Sequence, residues 1–279
     1  MAERADAHIH CFEGGYPHAF TARPGVRIDE AACYASLARD HGVRCALVVG
    51  YSADDWCRGN NEYIARQAAS HAWMRPLAYA DPRQPPTPAA LEKWQGEGFR
   101  GLVMYVFDPP MTQALAHVPA EVWGWLEKHG WLVSVNSRSE LWLAWRDVLD
   151  RHPALRLLVS HLGLPARMAT PPALQVASEG LAPVLALAAY PGAHVKLSGF
   201  YALSDPGYDY PHRAAWPYVE ALLERFGAQR LLWASDFFPA LDHLSFAQTF
   251  GMLRHMPFLD DRMREAIEGG NLLRLLGEG

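Results

Sequence analysis

The chain has 279 residues, half of them hydrophobic and a fifth charged, with ten Trp and a formal net charge of −5. That is enough apolar material for one large core, in the size range of a single α/β barrel of about 250 residues. The acidic balance, without any Lys/Arg cluster, argues against nucleic acid or an anionic membrane as partner. No apolar run reaches the roughly 18 residues of a membrane span and no cleavable signal precedes the first strand; the expectation is a cytoplasmic protein that meets small molecules, and other copies of itself if it is a homo-oligomer.

Short β-rich runs alternate with amphipathic helical stretches along the whole chain. The first run, Ala5–His10, places Asp6, His8 and His10 on one face and Ala7 and Ile9 on the other, because side chains alternate along a strand. Two imidazoles at a strand end can hold a divalent metal, or can polarise a carbonyl or phosphoryl group without one. A helical pattern over Asp29–His41 leads to the strand Cys45–Gly50, and another over Asn60–His71 leads to Met74–Ala80. The four cysteines, Cys11, Cys33, Cys45 and Cys57, fall in this first quarter without a C-x-x-C spacing and are expected to be free thiols in a reducing compartment.

A Pro-rich loop, Asp81–Pro88, precedes the helix Thr87–Glu97 and the strand Gly101–Val106. The helix Glu121–His129 then precedes the strand Trp131–Asn136, and Glu140–Arg151 precedes Leu155–Ser160. After a loop over Leu164–Pro172, the helix Pro172–Ala189 leads to His194–Ser198. The last unit comprises the loop Tyr201–Pro211, the helix Arg213–Phe226, the strand Leu231–Ser235 and the helix Phe246–His255. Eight strands in β-α alternation argue for a parallel sheet closed into one (β/α)8 TIM barrel over residues 1–279, with an open doubly wound sheet as the alternative. Neither a G-x-G-x-x-G turn after the first strand nor a G-x-x-x-x-G-K-[ST] loop is present, which removes the usual nucleotide cradles.

Sites in a TIM barrel are built at the C-terminal ends of the strands. His8 and His10 end strand 1, Asn136 strand 5, His161 strand 6, Ser198 strand 7 and Asp236 strand 8. Strands 1 and 8 are neighbours in a closed barrel, so Asp236 is expected beside the His pair, with His161 facing it across the mouth. Lys196, two residues before Ser198, shares its face and is expected to line the barrel, as a structural ion pair or as part of the site.

These residues carry a family resemblance. Asp6-Ala-His-Ile-His10, Val159-Ser-His-Leu-Gly-Leu-Pro165, Val195-Lys-Leu-Ser-Gly199, Leu231-Leu-Trp-Ala-Ser-Asp236 and Asn271-Leu-Leu-Arg-Leu-Leu276 occur in the order seen in the amidohydrolase superfamily. The chain resembles its amidohydrolase-2 branch of TIM-barrel hydrolases, which includes 2-pyrone-4,6-dicarboxylate lactonase and sugar lactonases. The resemblance implies a hydrolase acting on a lactone or similar cyclic ester of a small metabolite, with or without a carboxylate. Asp236 would activate water as general base. His8, His10 and His161 would polarise the carbonyl, and Asp6 would orient the His8 ring.

Departures from the pattern bear on metal and substrate. Metal-dependent relatives carry a His at the end of strand 5 and binuclear ones a Lys or Glu at strand 4, where this chain has Asn136 and Tyr105-Val106. A carboxamide is a poor zinc ligand, so either no cofactor is required or one divalent metal, zinc first, is held by His8, His10 and Asp236. Ser160 replaces the Asp that often precedes the strand-6 His, and Gly101-Leu-Val-Met104 lacks the strand-4 Arg. Candidate substrate-binding residues are Asn136, Tyr51, Arg138, Arg167, Tyr201 and Arg213, the arginines for their fit to a carboxylate. The competing readings are a metal-dependent decarboxylase of an aromatic or unsaturated acid, against which Asn136 counts, and a barrel that binds a metabolite without turning it over.

Overall fold

A computed structural model describes residues 3–16 and 28–278. Eight parallel strands lie in sequence order: β1 (Arg4–Ile9), β2 (Val43–Val49), β3 (Met74–Tyr79), β4 (Gly101–Val106), β5 (Leu132–Ser137), β6 (Arg156–Val159), β7 (Ala193–Leu197) and β8 (Leu231–Trp233). Each falls within two residues of the run expected from the sequence. A parallel bridge between Ile9 and Phe237 joins the last strand's extension to the first. The Asp236 N–H donates to the His8 carbonyl at 2.9 Å and the His10 N–H to the Phe237 carbonyl at 2.5 Å. The sheet therefore closes into a (β/α)8 barrel, and the open doubly wound alternative is excluded. Among the described residues no helix is long and apolar enough to cross a membrane, and the four cysteines are free thiols.

Alternation along the strands sorts side chains into two cores. Cys45, Leu47 and Val49 of β2, Leu77, Val103, Leu132, Leu158 and Leu232 fill the lumen. Ala46, Val48, Val133, Val135, Val195 and Trp233 face the helices, where Trp123, Trp142 and Trp145 are buried. The lumen floor is closed by Leu272 and Leu273 of the final helix, Asn271–Leu276. The turn before it, Ala266–Gly270, touches the start of β1 because Gly269 has no side chain: a Cβ there would lie 2.2 Å from the Glu3 carbonyl oxygen.

The first strand breaks the strict alternation. Ala5 and Ala7 belong to the lumen, whereas Ile9 and Cys11 belong to the outer core, and the pairing of β1 with β2 shifts between Asp6 and Ile9. The extra residue of such an irregularity turns the strand over. Asp6 consequently faces outward toward Tyr34, while His8 and His10 face the lumen, so the expected shared face of Asp6 with the two histidines is corrected.

Helical stretches differ as well. Pro172–Ala189 is broken into Leu174–Gly180, Ala182–Ala186 and a 3-10 turn over Leu187–Ala189, with Pro183 in the first turn of the second piece. A helix not expected from the periodicity, Pro109–Ala116, is started by Asp108, whose side chain accepts from the Met111 N–H, with Pro in its first turn.

Candidate active site

Above the apolar lumen layer the inward positions become polar: Ser134 and Asn136 on β5, Lys196 on β7, and past the strand ends Ser160, His161, Ser198 and Asp236, each nine-tenths or more buried. His161 and Asp236 adopt left-handed backbone conformations, with φ of 53° and 56°. This region is sparsely used by non-glycine residues and concentrates at functional sites. The K-L-S-G segment has a local reason: Ser198 Oγ lies 2.9 Å from His161 Nδ1, and Gly199, at φ 67°, leaves room for that ring, since a Cβ would lie 2.8 Å from Nδ1.

Asp6 ties the seam together from outside. Its Oδ1 accepts from the backbone N–H groups of His8 at 3.1 Å and Ser235 at 2.9 Å, and its Oδ2 from the Tyr34 hydroxyl at 2.9 Å. It thus fixes the backbone that carries both His8 and Asp236, and does not orient the His8 ring as the sequence suggested.

Hydrogen-bond partners assign the protons of the His pair. His10 Nδ1 lies 3.0 Å from the Val49 carbonyl, which only accepts, so Nδ1 carries the proton and Nε2 is bare. His8 Nε2, 3.1 Å from His10 Nε2, must then carry its proton and donate. That leaves His8 Nδ1 as acceptor for the Lys196 ammonium at 3.2 Å and the Ser160 hydroxyl at 3.5 Å. Lys196 also donates to Ser134 Oγ at 2.7 Å. Burial, with the Lys196 charge nearby, holds His8 well below its ordinary pKa; burial lowers His10 to about 4 and His161 to about 3. All three rings are neutral at physiological pH. Burial also pulls Lys196 down to about 7, and it has no carboxylate within hydrogen-bonding distance.

Asp236 stands in the middle of this group. Its Oδ1 lies 3.8 Å from His8 Nε2, its Oδ2 lies 3.9 Å from His161 Nδ1, and the Tyr201 hydroxyl donates to Oδ2 at 2.7 Å. Burial raises its pKa to about 6, against the lowering effect of His10, Tyr201 and Lys196. A carboxylate poised there is ionised at pH 7 and still basic enough to take a proton.

The residues open onto one cavity. Its floor is His10, Asn136, His161 and Asp236, and its walls are aromatic: Phe12, Tyr16, Tyr51, Trp56, Tyr105, Phe107 and Tyr201. Asp54 stands at the rim and accepts from the Tyr51 hydroxyl at 3.0 Å. His8 is fully buried beneath the floor and acts through its neighbours. His161 comes close to Asp236, its Nδ1 3.9 Å from Oδ2, and to His8, with ring centroids 4.8 Å apart.

Of the other expected binding residues, Tyr51, Tyr201 and Asn136 line the cavity. The three arginines do not. Arg138 lies outside, 6.0 Å from the Phe107 ring centroid. Arg167 bonds the Ser204 carbonyl and Asp205, and Arg213 sits over Trp216. Phe12, Tyr16, Trp56, Phe107 and Asp54 come from loops that carry no motif. Tyr105 could have been found, since it sits two residues after inward-facing Val103 at a strand end.

The donor set fits one divalent metal. One ligand atom from each of His8, His161 and Asp236 lies within 4.8 Å of the others, a two-imidazole and one-carboxylate set of the kind that leaves a position open for catalysis. Of the expected trio, His8 and Asp236 belong to this set, and His161 stands in it where His10 was expected. Metal binding there must displace the proton on His8 Nε2, as it must for any protonated ligand.

Residues 5–277 match the model of the amidohydrolase family. Over 88 residues the chain is 38% identical to L-fucono-1,5-lactonase of Burkholderia ambifaria, a match spanning 31% of this chain and 28% of that relative's length. An amidohydrolase from Burkholderia multivorans, solved with bound zinc, superposes with a TM-score of 0.80 at 21% identity, covering 99% of both chains. A proposed 2-pyrone-4,6-dicarboxylic acid hydrolase from Acinetobacter baumannii, solved with citric acid bound, superposes with a TM-score of 0.74 at 16% identity, again over 99% of both.

Proposed function

The chain belongs to the amidohydrolase family, in its amidohydrolase-2 branch, and from that premise we propose that it hydrolyses a lactone or similar cyclic ester. The observation that carries this reading is Asp236, a buried carboxylate with pKa near 6, at the floor of a cavity whose imidazoles are neutral. A water against Asp236 gives up its proton to the carboxylate as its oxygen attacks the lactone carbonyl. The ring C–O bond then breaks, and the departing alkoxide recovers the proton from Asp236. The product is the open hydroxy acid. Tyr201 holds the carboxylate in place through its 2.7 Å bond, and the partial match to a lactonase supports the ester as the bond cleaved.

The aromatic walls suit a ring that buries its faces. Among the described residues neither Lys nor Arg lines the cavity, whereas Asp54 and Asp236 do; this favours an uncharged lactone over a carboxylated one. When bound to His8, His161 and Asp236, a divalent metal supplies a Lewis acid that polarises the carbonyl and acidifies water.

The test is a panel of uncharged and carboxylated lactones, followed by acid release, with protein stripped by chelator and with protein given Zn²⁺. Turnover of at least one lactone is expected. Asp236→Asn should lower kcat by about 10²–10⁴-fold with the fold retained. No turnover of any lactone in either metal state, or release of CO2 from an aromatic acid instead, would reject the proposal.

A further inference from the structure

Hydrolysis of a lactone places negative charge on the former carbonyl oxygen, and some group must donate to it. The histidine that lines the floor from β1 does not: His10 has its one N–H committed to the Val49 carbonyl and presents a bare Nε2. His8, which has its N–H aimed at His10, is sealed below. Asn136 remains. It stands at the end of β5, 4% exposed, with its side chain on the cavity and beside Tyr105, its register partner on β4.

Its amide is incompletely satisfied. Oδ1 is buried without a partner. If Nδ2 donates to the Tyr105 oxygen, a second N–H is left over. With the amide turned over, Oδ1 accepts from the Tyr105 hydroxyl and both N–H groups are left over. In either orientation at least one N–H has no acceptor among the described residues, although a buried amide normally has one.

Resting on the lactonase reading above, we propose that Asn136 is the oxyanion donor: its free N–H hydrogen-bonds the carbonyl oxygen as the tetrahedral intermediate forms, and Tyr105 is the positioning residue that fixes the amide. As the water oxygen bonds to the carbonyl carbon, its proton goes to Asp236 and the π pair goes to the oxygen held by Asn136. On collapse that pair re-forms the carbonyl, the ring oxygen leaves and takes the proton back from Asp236. The bond to Asn136 strengthens with the charge, so its contribution appears in kcat more than in KM. The position that holds an imidazole in metal-dependent relatives thus keeps a role in the reaction with a group that metals bind poorly.

The experiment uses the full chain and the best lactone of the panel. Asn136→Ala and the similarly sized Asn136→Leu should each lower kcat by about 10²–10³-fold with KM within about threefold. Affinity for the cyclic phosphonate that mimics the tetrahedral anion should fall by the same factor, while affinity for the corresponding lactam stays within about threefold. Tyr105→Phe should lower kcat by about 10-fold with the same pattern. Retention of kcat within about threefold in Asn136→Leu, or equal loss of phosphonate and lactam binding, overturns the assignment. A wild type that turns over lactones separates this failure from that of the lactonase reading; a wild type inactive on every lactone overturns both.

Discussion

The two halves of the barrel lumen are built to opposite rules. The lower half is Ala5, Ala7, Cys45, Leu47, Leu77, Leu132, Leu158 and Leu232, stoppered by Leu272 and Leu273. The upper half is His8, Ser134, Ser160, His161, Lys196, Ser198 and Asp236, each bonded to another of the group or to Tyr201. The lesson lies in their contact. The polar layer is buried above this apolar base, and desolvation by burial is the leading cause of the low pKa of His8, His10 and His161 and the raised pKa of Asp236. Burial sets the protonation states with which the mouth works.

If the halves are separable in this way, damage below should spare catalysis, and damage above should fall on catalysis more than on stability. The largest stability effect is expected at the stopper: Leu272→Ala should cost about 2–5 kcal/mol, measured by denaturant unfolding, with kcat of the remaining folded protein unchanged. A parallel loss of kcat would show that the floor does more than close the lumen.

Gly199→Ala works in the other direction. The added Cβ meets His161 Nδ1 at 2.8 Å and strains a left-handed residue. It should cost about 1–2 kcal/mol of stability, while displacement of His161 lowers kcat by about 10- to 100-fold. Unchanged kcat would remove His161 from the reaction.

The smallest effect concerns the cavity wall. Glu30 is buried and accepts from the N–H groups of Phe12 at 2.7 Å and Tyr16 at 2.5 Å, and burial raises its pKa to about 7 from an ordinary 4.5. Between those values the folded state holds a proton that the unfolded state has lost, so stability falls as pH rises through this window, by at most about 1.4 kcal/mol per pH unit for one proton. Glu30→Gln removes this dependence. Unfolding followed from pH 5 to pH 8 should show a shallower decline than wild type, with the remainder due to groups such as Asp6, also raised to about 6. Superimposable slopes would count against the Glu30 assignment.

The strands and the strand-end residues were legible because hydrophobic runs and barrel periodicity are local signals that repeat eight times. What escaped was set by three-dimensional context. The turnover of β1 between Ala7 and Ile9 leaves no mark in a run of alternating residues, so Asp6 was assigned to the wrong face. The arginines looked like carboxylate ligands by chemistry alone, yet the loops direct them outward. Phe12 and Trp56 approach the site through loops whose course the sequence does not encode in any period, whereas Tyr105 obeyed the alternation and could have been placed by it. The helix at Pro109–Ala116 was announced by Asp108 and the prolines after it, a start signal without enough apolar periodicity behind it.

The bond from the Ser235 N–H to Asp6 joins residues 229 apart in sequence, and it has a temporal meaning. His8 and His10 leave the ribosome well before Asp236, the proposed base, which follows the last strand. A fragment that lacks either strand lacks part of the constellation, and closing a contact across so much of the chain is among the slower events in folding. Turnover in this protein is therefore a readout of completion: it begins when the first and last strands meet.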